Sequence, residues 1–172
     1  EAYMNTGVQA SGATPTYAHT TTTPAGKISL GEKQNKKDMP AIAMAHGLSY
    51  VATATVGFPL DIAAKVKRSL TFPGPKYLQI LVPCVPGWGY ETNLSVKLGK
   101  LAQQTGIWPV FEAIDGKIVS AMKVPPNPPQ VSEYLKLQKR YEHLFKSEEG
   151  KKIIVEIQKL ADWKIEKFSL RS

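Results

Sequence analysis

The stretch 50–82, "YVATATVGFPLDIAAKVKRSLTFPGPKYLQILV", decides the fold. Its opening run, Tyr50 to Val56, is rich in β-branched residues and ends at Gly57, the composition of a buried strand. Pro59 and Asp61 then open a helix in which Ile62, Val66 and Leu70 recur at helical spacing. Pro73-Gly74-Pro75 breaks it, and Tyr77 to Val82 forms a second apolar run that reads as another buried strand. Strand, helix and strand in one short stretch make a βαβ unit, whose crossover sets the two strands parallel. The expected fold class is therefore α/β, a mainly parallel sheet flanked by helices. In such sheets ligands bind beyond the carboxyl ends of the strands, which here means the loops beginning near Gly57 and near Cys84.

Working outward, Asp38 is placed to cap a short helix from Met39 to His46, with Pro40 tolerated in its first turn and Gly47 as its stop. Before it run a polar linker, "KISLGEKQNKKDMP", and an opening loop, "EAYMNTGVQASGATPTYAHTTTTP". On the other side, Leu94, Leu98 and Leu101 mark a helix closed by Gly106. "WPVFEAI", Asp115-Gly116 and "KIVSAM" then spell a two-residue hairpin. "VPPNPPQ", Val124 to Gln130, is an extended proline-rich linker. It divides the chain into residues 1–123, 124–130 and a helical arm, 131–172. The arm reads as one helix from about Val131 to Phe145 and a second after Ser147, with Ile154, Ile157, Ala161, Ile165 and Phe168 on one stripe. That stripe needs burial, so the arm is expected to pack on the domain or on a neighbouring subunit rather than trail in solvent.

At 172 residues and 42% hydrophobic content the chain can bury a real core. The apolar run around "AIAMAHGLSYVATATVGFPL" is interrupted by His46, Gly47 and threonines well short of the roughly 20 residues a bilayer span requires, so no membrane segment is expected. Nothing marks export, which makes the cytoplasm the expected compartment. A net charge of +8 suits an anionic partner: nucleic acid, a phosphate-bearing cofactor or an acidic protein. The excess is spread along the chain, however, and the clusters "KKDMP", "KVKR" and "KKII" have few aromatic neighbours, so a nucleic-acid surface is not expected. A single cysteine, Cys84, excludes an internal disulfide and a zinc site of paired cysteines.

No nucleophile elbow, His-Glu-x-x-His pair or phosphate-loop lysine motif occurs. Two segments carry other chemistry. Tyr3-Met4-Asn5-Thr6-Gly7 gathers an amide, a hydroxyl and a flexible backbone, a set able to wrap a diphosphate and its Mg²⁺, although Asn-Thr-Gly also makes an ordinary turn. "LVPCVPGWGYE" sets Cys84 between Pro83 and Pro86 just after a strand. The prolines remove backbone donors and stiffen the loop, so the thiol is presented, as a metal or cluster ligand or as an ordinary core residue. His46, at a helix C-terminus, reads as a dipole-complementing residue rather than an acid or base; His19 is left undecided. Thr20 to Thr23 with Pro24 can hydrogen-bond locally as a rigid turn or contact another subunit, and the structural reading is preferred.

"EAYMNTGVQASGATPTYAHTTTTPAGK", "KKDMPAIAMAHGLSYVATATVGFPLD" and "LVPCVPGWG", in this order, resemble the carboxy-terminal half of the β subunit of pyruvate:ferredoxin oxidoreductase. The resemblance covers nearly the whole chain and weakens in the helical arm. It implies half of a thiamine-diphosphate-binding domain in an enzyme that oxidatively decarboxylates pyruvate to acetyl-CoA and CO₂ and passes electrons through [4Fe-4S] clusters to ferredoxin. It further implies that Asn5 faces the thiamine and the substrate, that Thr6 and Gly7 line the same pocket, and that the Ala2 carbonyl ligates Mg²⁺. Cys84 matches the last of four cysteines around the cluster nearest the thiamine, the others lying in an upstream half. The implied partners are that half, the α and other subunits, ferredoxin, coenzyme A and the 2-oxoacid, and the chain alone is expected to be inactive. Met-Asn-Thr-Gly favours pyruvate over 2-oxoglutarate or branched-chain acids, while relatives acting on oxalate or aryl glyoxylates share the motif. A basic α/β binding module without activity is the reading from another class.

Overall fold

The computed structural model describes residues 1–26 and 28–171; Lys27 of the polar linker and Ser172 at the end of the arm lie outside the described residues. The opening loop is a small hairpin, Ala2–Tyr3 (β1) antiparallel to Gln9–Ala10 (β2), with Ala2 opposite Ala10 and Tyr3 opposite Gln9. Met39–Ala45 (α1) follows, Asp38 accepting from Ala41 N at 3.1 Å as the expected cap and His46 closing the helix. The strand, helix and strand that began the reading are Tyr50–Thr55 (β3), Pro59–Ser69 (α2) and Lys76–Leu81 (β4). β3 is buried throughout and pairs parallel with β4, from Tyr50 opposite Lys76 to Thr55 opposite Leu81.

The rest of the sheet corrects the expectation of a mainly parallel one. After Val85–Trp88 (α3) and Ser95–Gln104 (α4), Phe111–Ile114 (β5) joins β3 antiparallel, and Lys117–Ala121 (β6) joins β5 antiparallel. The sheet is thus mixed, in the order β4-β3-β5-β6. The cause is where α4 delivers the chain. α4 crosses the carboxyl end of β3 at a glycine pair so close that a Cβ on Gly99 would lie 2.6 Å from Gly57 N. The turn at Gly106 (φ +76°) then brings Trp108 and Pro109 back to that same end. There Trp108 Nε1 donates to Ala54 O at 3.0 Å, and Thr53 Oγ1 donates to Pro109 O at 2.8 Å and accepts from Phe111 N at 2.9 Å. A strand that starts at its neighbour's carboxyl end runs antiparallel to it. Asp115 (φ +48°) and Gly116 (φ +75°) make the predicted tight turn into β6.

Further readings are corrected. β4 is an edge strand, with only Leu81 fully buried, because no strand among the described residues covers its far side. In α2 two residues of the expected stripe, Val66 and Leu70, are exposed and only Ile62 is half-buried, while the buried positions are Ser69 and Lys65, whose ammonium donates to Thr53 O and Asp61. The helix expected from Val131 to Phe145 is split into Val131–Leu135 (α5) and a 3₁₀ turn, Lys139–Phe145. Gln138, extended between them, donates its side-chain amide to Tyr134 O at 2.8 Å, taking an acceptor that a continuing helix would use. Glu148–Lys167 (α6) starts at Ser147, whose Oγ accepts from Gly150 N. It buries Ile153, Ile157, Ala161 and Ile165, so Ile153 rather than Ile154 heads the stripe. These helices share one apolar cluster with Trp88, Leu98, Leu101 and Trp108, and Phe168 stacks on Phe111 at 5.1 Å. The arm therefore packs on the sheet domain. Among the described residues no helix is long and apolar enough to cross a membrane.

Candidate functional site

The tip of the opening hairpin holds Asn5, Thr6 and Gly7, all exposed. The turn closes through Gly7 N and Val8 N on Met4 O, at 3.1 and 3.4 Å. Gly7 has φ +97° and Val8 φ +58°, the latter a β-branched residue in the left-handed region and so a point of stored strain. Thr6 spends its hydroxyl on the turn itself, within reach of Tyr3 O and Gln9. The Asn5 amide, by contrast, bonds to nothing among the described residues. It does not fix its own loop. The threonine run braces the hairpin from below: Thr21 Oγ1 donates to Gly7 O at 2.6 Å, Thr22 Oγ1 accepts from Ala10 N at 2.8 Å, and Thr20 and Thr23 bond to each other. This is the rigid turn expected of it. His19 Nδ1 accepts from Ala25 N, a structural role, and His46 is exposed.

Cys84 follows β4 and caps α3 in extended conformation, half-buried and free. Trp88 N donates to Cys84 O at 2.9 Å, and Gly89 ends the turn in the left-handed region. Gly87 joins the two motifs. A Cβ there would collide with Met4 Sδ and lie 3.6 Å from Cys84 Sγ, so the hairpin's methionine fills the space that glycine leaves beside the thiol. The loop near Gly57, the other half of the expected crevice, is closed instead: a Cβ on Gly57 would sit 2.5 Å from Lys100 N.

Beneath the hairpin lies a buried ion cluster that the sequence reading missed. Glu1 Oε1 accepts from Lys36 Nζ at 2.9 Å and Glu1 Oε2 from Arg140 Nη1 at 2.8 Å. Burial alone would raise the Glu1 carboxyl, but the charges of Arg140 and Lys36 and their hydrogen bonds outweigh it and hold it down to about 2. Arg140, 5% exposed, also stacks over Trp88 at 3.7 Å from the ring centroid and donates Nε to Gln138. Burial opposes its charge, yet Tyr141, Glu1 and Tyr134 keep its proton above the ordinary range. Nothing in spacing announces such a cluster, since Glu1 and Arg140 stand at opposite ends of the chain.

A cavity of about 410 Å³ lies between the sheet and α6, with Glu1, Lys36, Trp108, Phe111, Trp163 and Lys164 among its walls. Burial lowers the Lys164 ammonium to about 8, and its Nζ donates to Ile107 O at 2.9 Å. Among the described residues no group of three or more His, Cys, Asp or Glu could hold a metal ion. The single thiol of Cys84 is not enough to hold an iron–sulfur cluster, which takes about four ligands. Likewise the hairpin offers Mg²⁺ only backbone oxygens near Ala2, with no acidic side chain paired to them apart from the ion-bound Glu1.

No family model matches the chain. Curated relatives do, and the chain is homologous to β subunits of 2-oxoacid:ferredoxin oxidoreductases. The particular homology is to pyruvate synthase subunit PorB. The Methanosarcina barkeri subunit is 50% identical over 171 residues, 99% of this chain and 57% of that one; the Methanocaldococcus jannaschii subunit is 50% identical over 144 residues, 84% and 48%. Ketoisovalerate oxidoreductase subunit VorB of Pyrococcus horikoshii is 43% identical over 149 residues, 86% and 48%. The chain thus spans about half the length of the curated relatives it matches. A solved 2-oxoglutarate:ferredoxin oxidoreductase from Magnetococcus marinus aligns at 20% identity and TM-score 0.45, covering 90% of this chain and 54% of that one.

Proposed function

We propose that this chain is part of the β subunit of a thiamine-diphosphate-dependent pyruvate:ferredoxin oxidoreductase, and that its two motif loops meet to join the cofactor site to the electron exit. The observation that carries this is Met4 packed into the glycine gap beside Cys84, which sets a hairpin bearing a free amide against a loop bearing a free thiol. When bound, thiamine diphosphate with Mg²⁺ supplies the carbon centre that takes up a 2-oxoacid and lets CO₂ leave, and the cluster accepts electrons singly. The protein residues do the rest. Asn5, held at a strained tip and uncommitted to its own loop, hydrogen-bonds the reacting oxygen or the cofactor. Thr6 and Gly7 would line the cofactor pocket, and the Ala2 carbonyl would be one of the oxygens that hold Mg²⁺. Cys84 gives one thiolate, with the remaining ligands from an upstream part of the subunit. The helices from residue 131 onward brace both loops from beneath, as a C-terminal arm on residues 1–123. Acidic ferredoxin and the phosphates of coenzyme A suit the basic charge.

The test is turnover by the complete complex, prepared without oxygen, with pyruvate and with 2-oxoisovalerate. Pyruvate- and coenzyme-A-dependent reduction of a viologen dye is expected, falling about 100-fold or more in Asn5→Ala with cluster content unchanged. Faster turnover of 2-oxoisovalerate would move the chain to the VorB side of its relatives, and full activity in Asn5→Ala would remove the residue from the site.

A further inference from the structure

The cavity between the sheet and α6 carries more positive charge than its own carboxylates answer. Lys36, Lys37, Lys164 and Lys167 stand in its wall against Glu1 and Asp38. Both carboxylates are already committed: Glu1 accepts from Lys36 and Arg140, and Asp38 caps α1 through Ala41 N. Lys164 makes no salt bridge among the described residues, and its Nζ donates once, to Ile107 O at 2.9 Å, although an ammonium has three N–H groups to give. Burial lowers this ammonium to about 8, and the charged groups that face it are Lys36, Asp38, Glu1 and Lys167. A desolvated cation with no counter-charge is costly unless an anion completes it. The rest of the wall indicates what that anion carries. Trp108 and Phe111 on the sheet side and Trp163 on α6 are aromatic, with Lys36 over Trp108 at 4.6 Å and Lys167 over Trp163 at 4.7 Å from the ring centroids. A volume of about 410 Å³ lies at the lower end of the range of small-ligand sites, room for one or two fused rings.

We propose that this cavity is a binding site for a small aromatic carboxylate, its ring against the tryptophan and phenylalanine wall and its carboxylate on the Lys164 ammonium. Neither Asn5 nor Cys84 lines the cavity, so the inference stands apart from the reading of those two loops. It is tested by calorimetry on the complete, oxygen-free complex with a matched pair of probes, 2-naphthoate and its uncharged amide, 2-naphthamide. At pH 7 the carboxylate is expected to bind at least about tenfold more tightly than the amide, the scale of one hydrogen bond to a charged group. Lys164→Met, which keeps the apolar stem, is expected to bring the two probes to equal affinity and to leave pyruvate turnover unchanged. Raising the pH from 7 to about 9.5, across the titration of Lys164, is expected to weaken the carboxylate about tenfold and to leave the amide unaffected. Equal affinity for the two probes in the unaltered complex, or binding of neither because another part of the complex fills the cavity, would overturn the inference. So would a preference for the carboxylate that survives in Lys164→Met. Loss of binding in Asn5→Ala with Lys164 intact would place the probe at the hairpin tip and overturn it as well. If Lys164→Met does not assemble, the probe pair on the unaltered complex and its pH dependence still decide.

Discussion

At Glu1 the folded carboxyl titrates near 2, below the ordinary 4.5 of the unfolded chain, so the ion cluster contributes stability that is whole above about pH 4.5 and is lost as the pH falls toward 2. Urea unfolding between pH 6 and 3 is expected to show that loss, and Glu1→Gln to flatten it while lowering stability at neutral pH by about 3 kcal/mol, as for one partner removed from a buried pair. Lys164 has the opposite cost. Its ammonium titrates near 8 in the fold against 10.5 unfolded, so the penalty is full below pH 8 and relieved as the pH rises toward 10.5. Lys164→Met is expected to gain about 1 kcal/mol at pH 7, since the half-buried side chain also gives up its bond to Ile107 O, and to lose that gain above pH 10. Single residues were legible in the sequence where local chemistry marked a local structure: Gly7 in its turn and Asp38 as a cap. Arg140 was not, because its partners, Glu1, Trp88 and Gln138, are assembled by the tertiary fold alone.

Among the elements, the contact between the opening hairpin and the Cys84 turn depends on one missing methyl group. Gly87→Ala is expected to cost about 1–3 kcal/mol by overpacking against Met4, and Met4→Ala in the same chain to recover part of it, a coupling that a double-mutant cycle by urea unfolding would measure. Additive costs would mean that the two loops do not lean on each other. Ile165→Ala, on the buried face of α6 beside Gly106, is expected to cost about 2–5 kcal/mol. Strands β3 to β6, α1, α2, α4 and the Asp115-Gly116 turn were readable from period and punctuation, whereas the short β1–β2 hairpin was read as loop. The direction of β5 was not readable, because it is set by the Gly57 and Gly99 crossing and by Thr53, contacts between residues far apart in sequence. Nor was the outward apolar side of α2, since periodicity shows that a helix has a stripe without showing what covers it.

For the molecule as a whole, the chain spans about half the length of the curated relatives it matches, and β4 leaves an open sheet edge among the described residues. Residues 1–172 prepared alone are expected to hold no [4Fe-4S] cluster and to give no pyruvate-dependent dye reduction, which iron analysis and a viologen assay would check. The central claim, that the amide-bearing hairpin and the Cys84 turn together join a thiamine site to an electron exit, is tested most directly by iron content and EPR of the complete, oxygen-free complex with and without Cys84→Ser. The account predicts that one cluster's signal is lost and that pyruvate-dependent viologen reduction falls with it. An unchanged cluster signal and unchanged turnover in Cys84→Ser would contradict it.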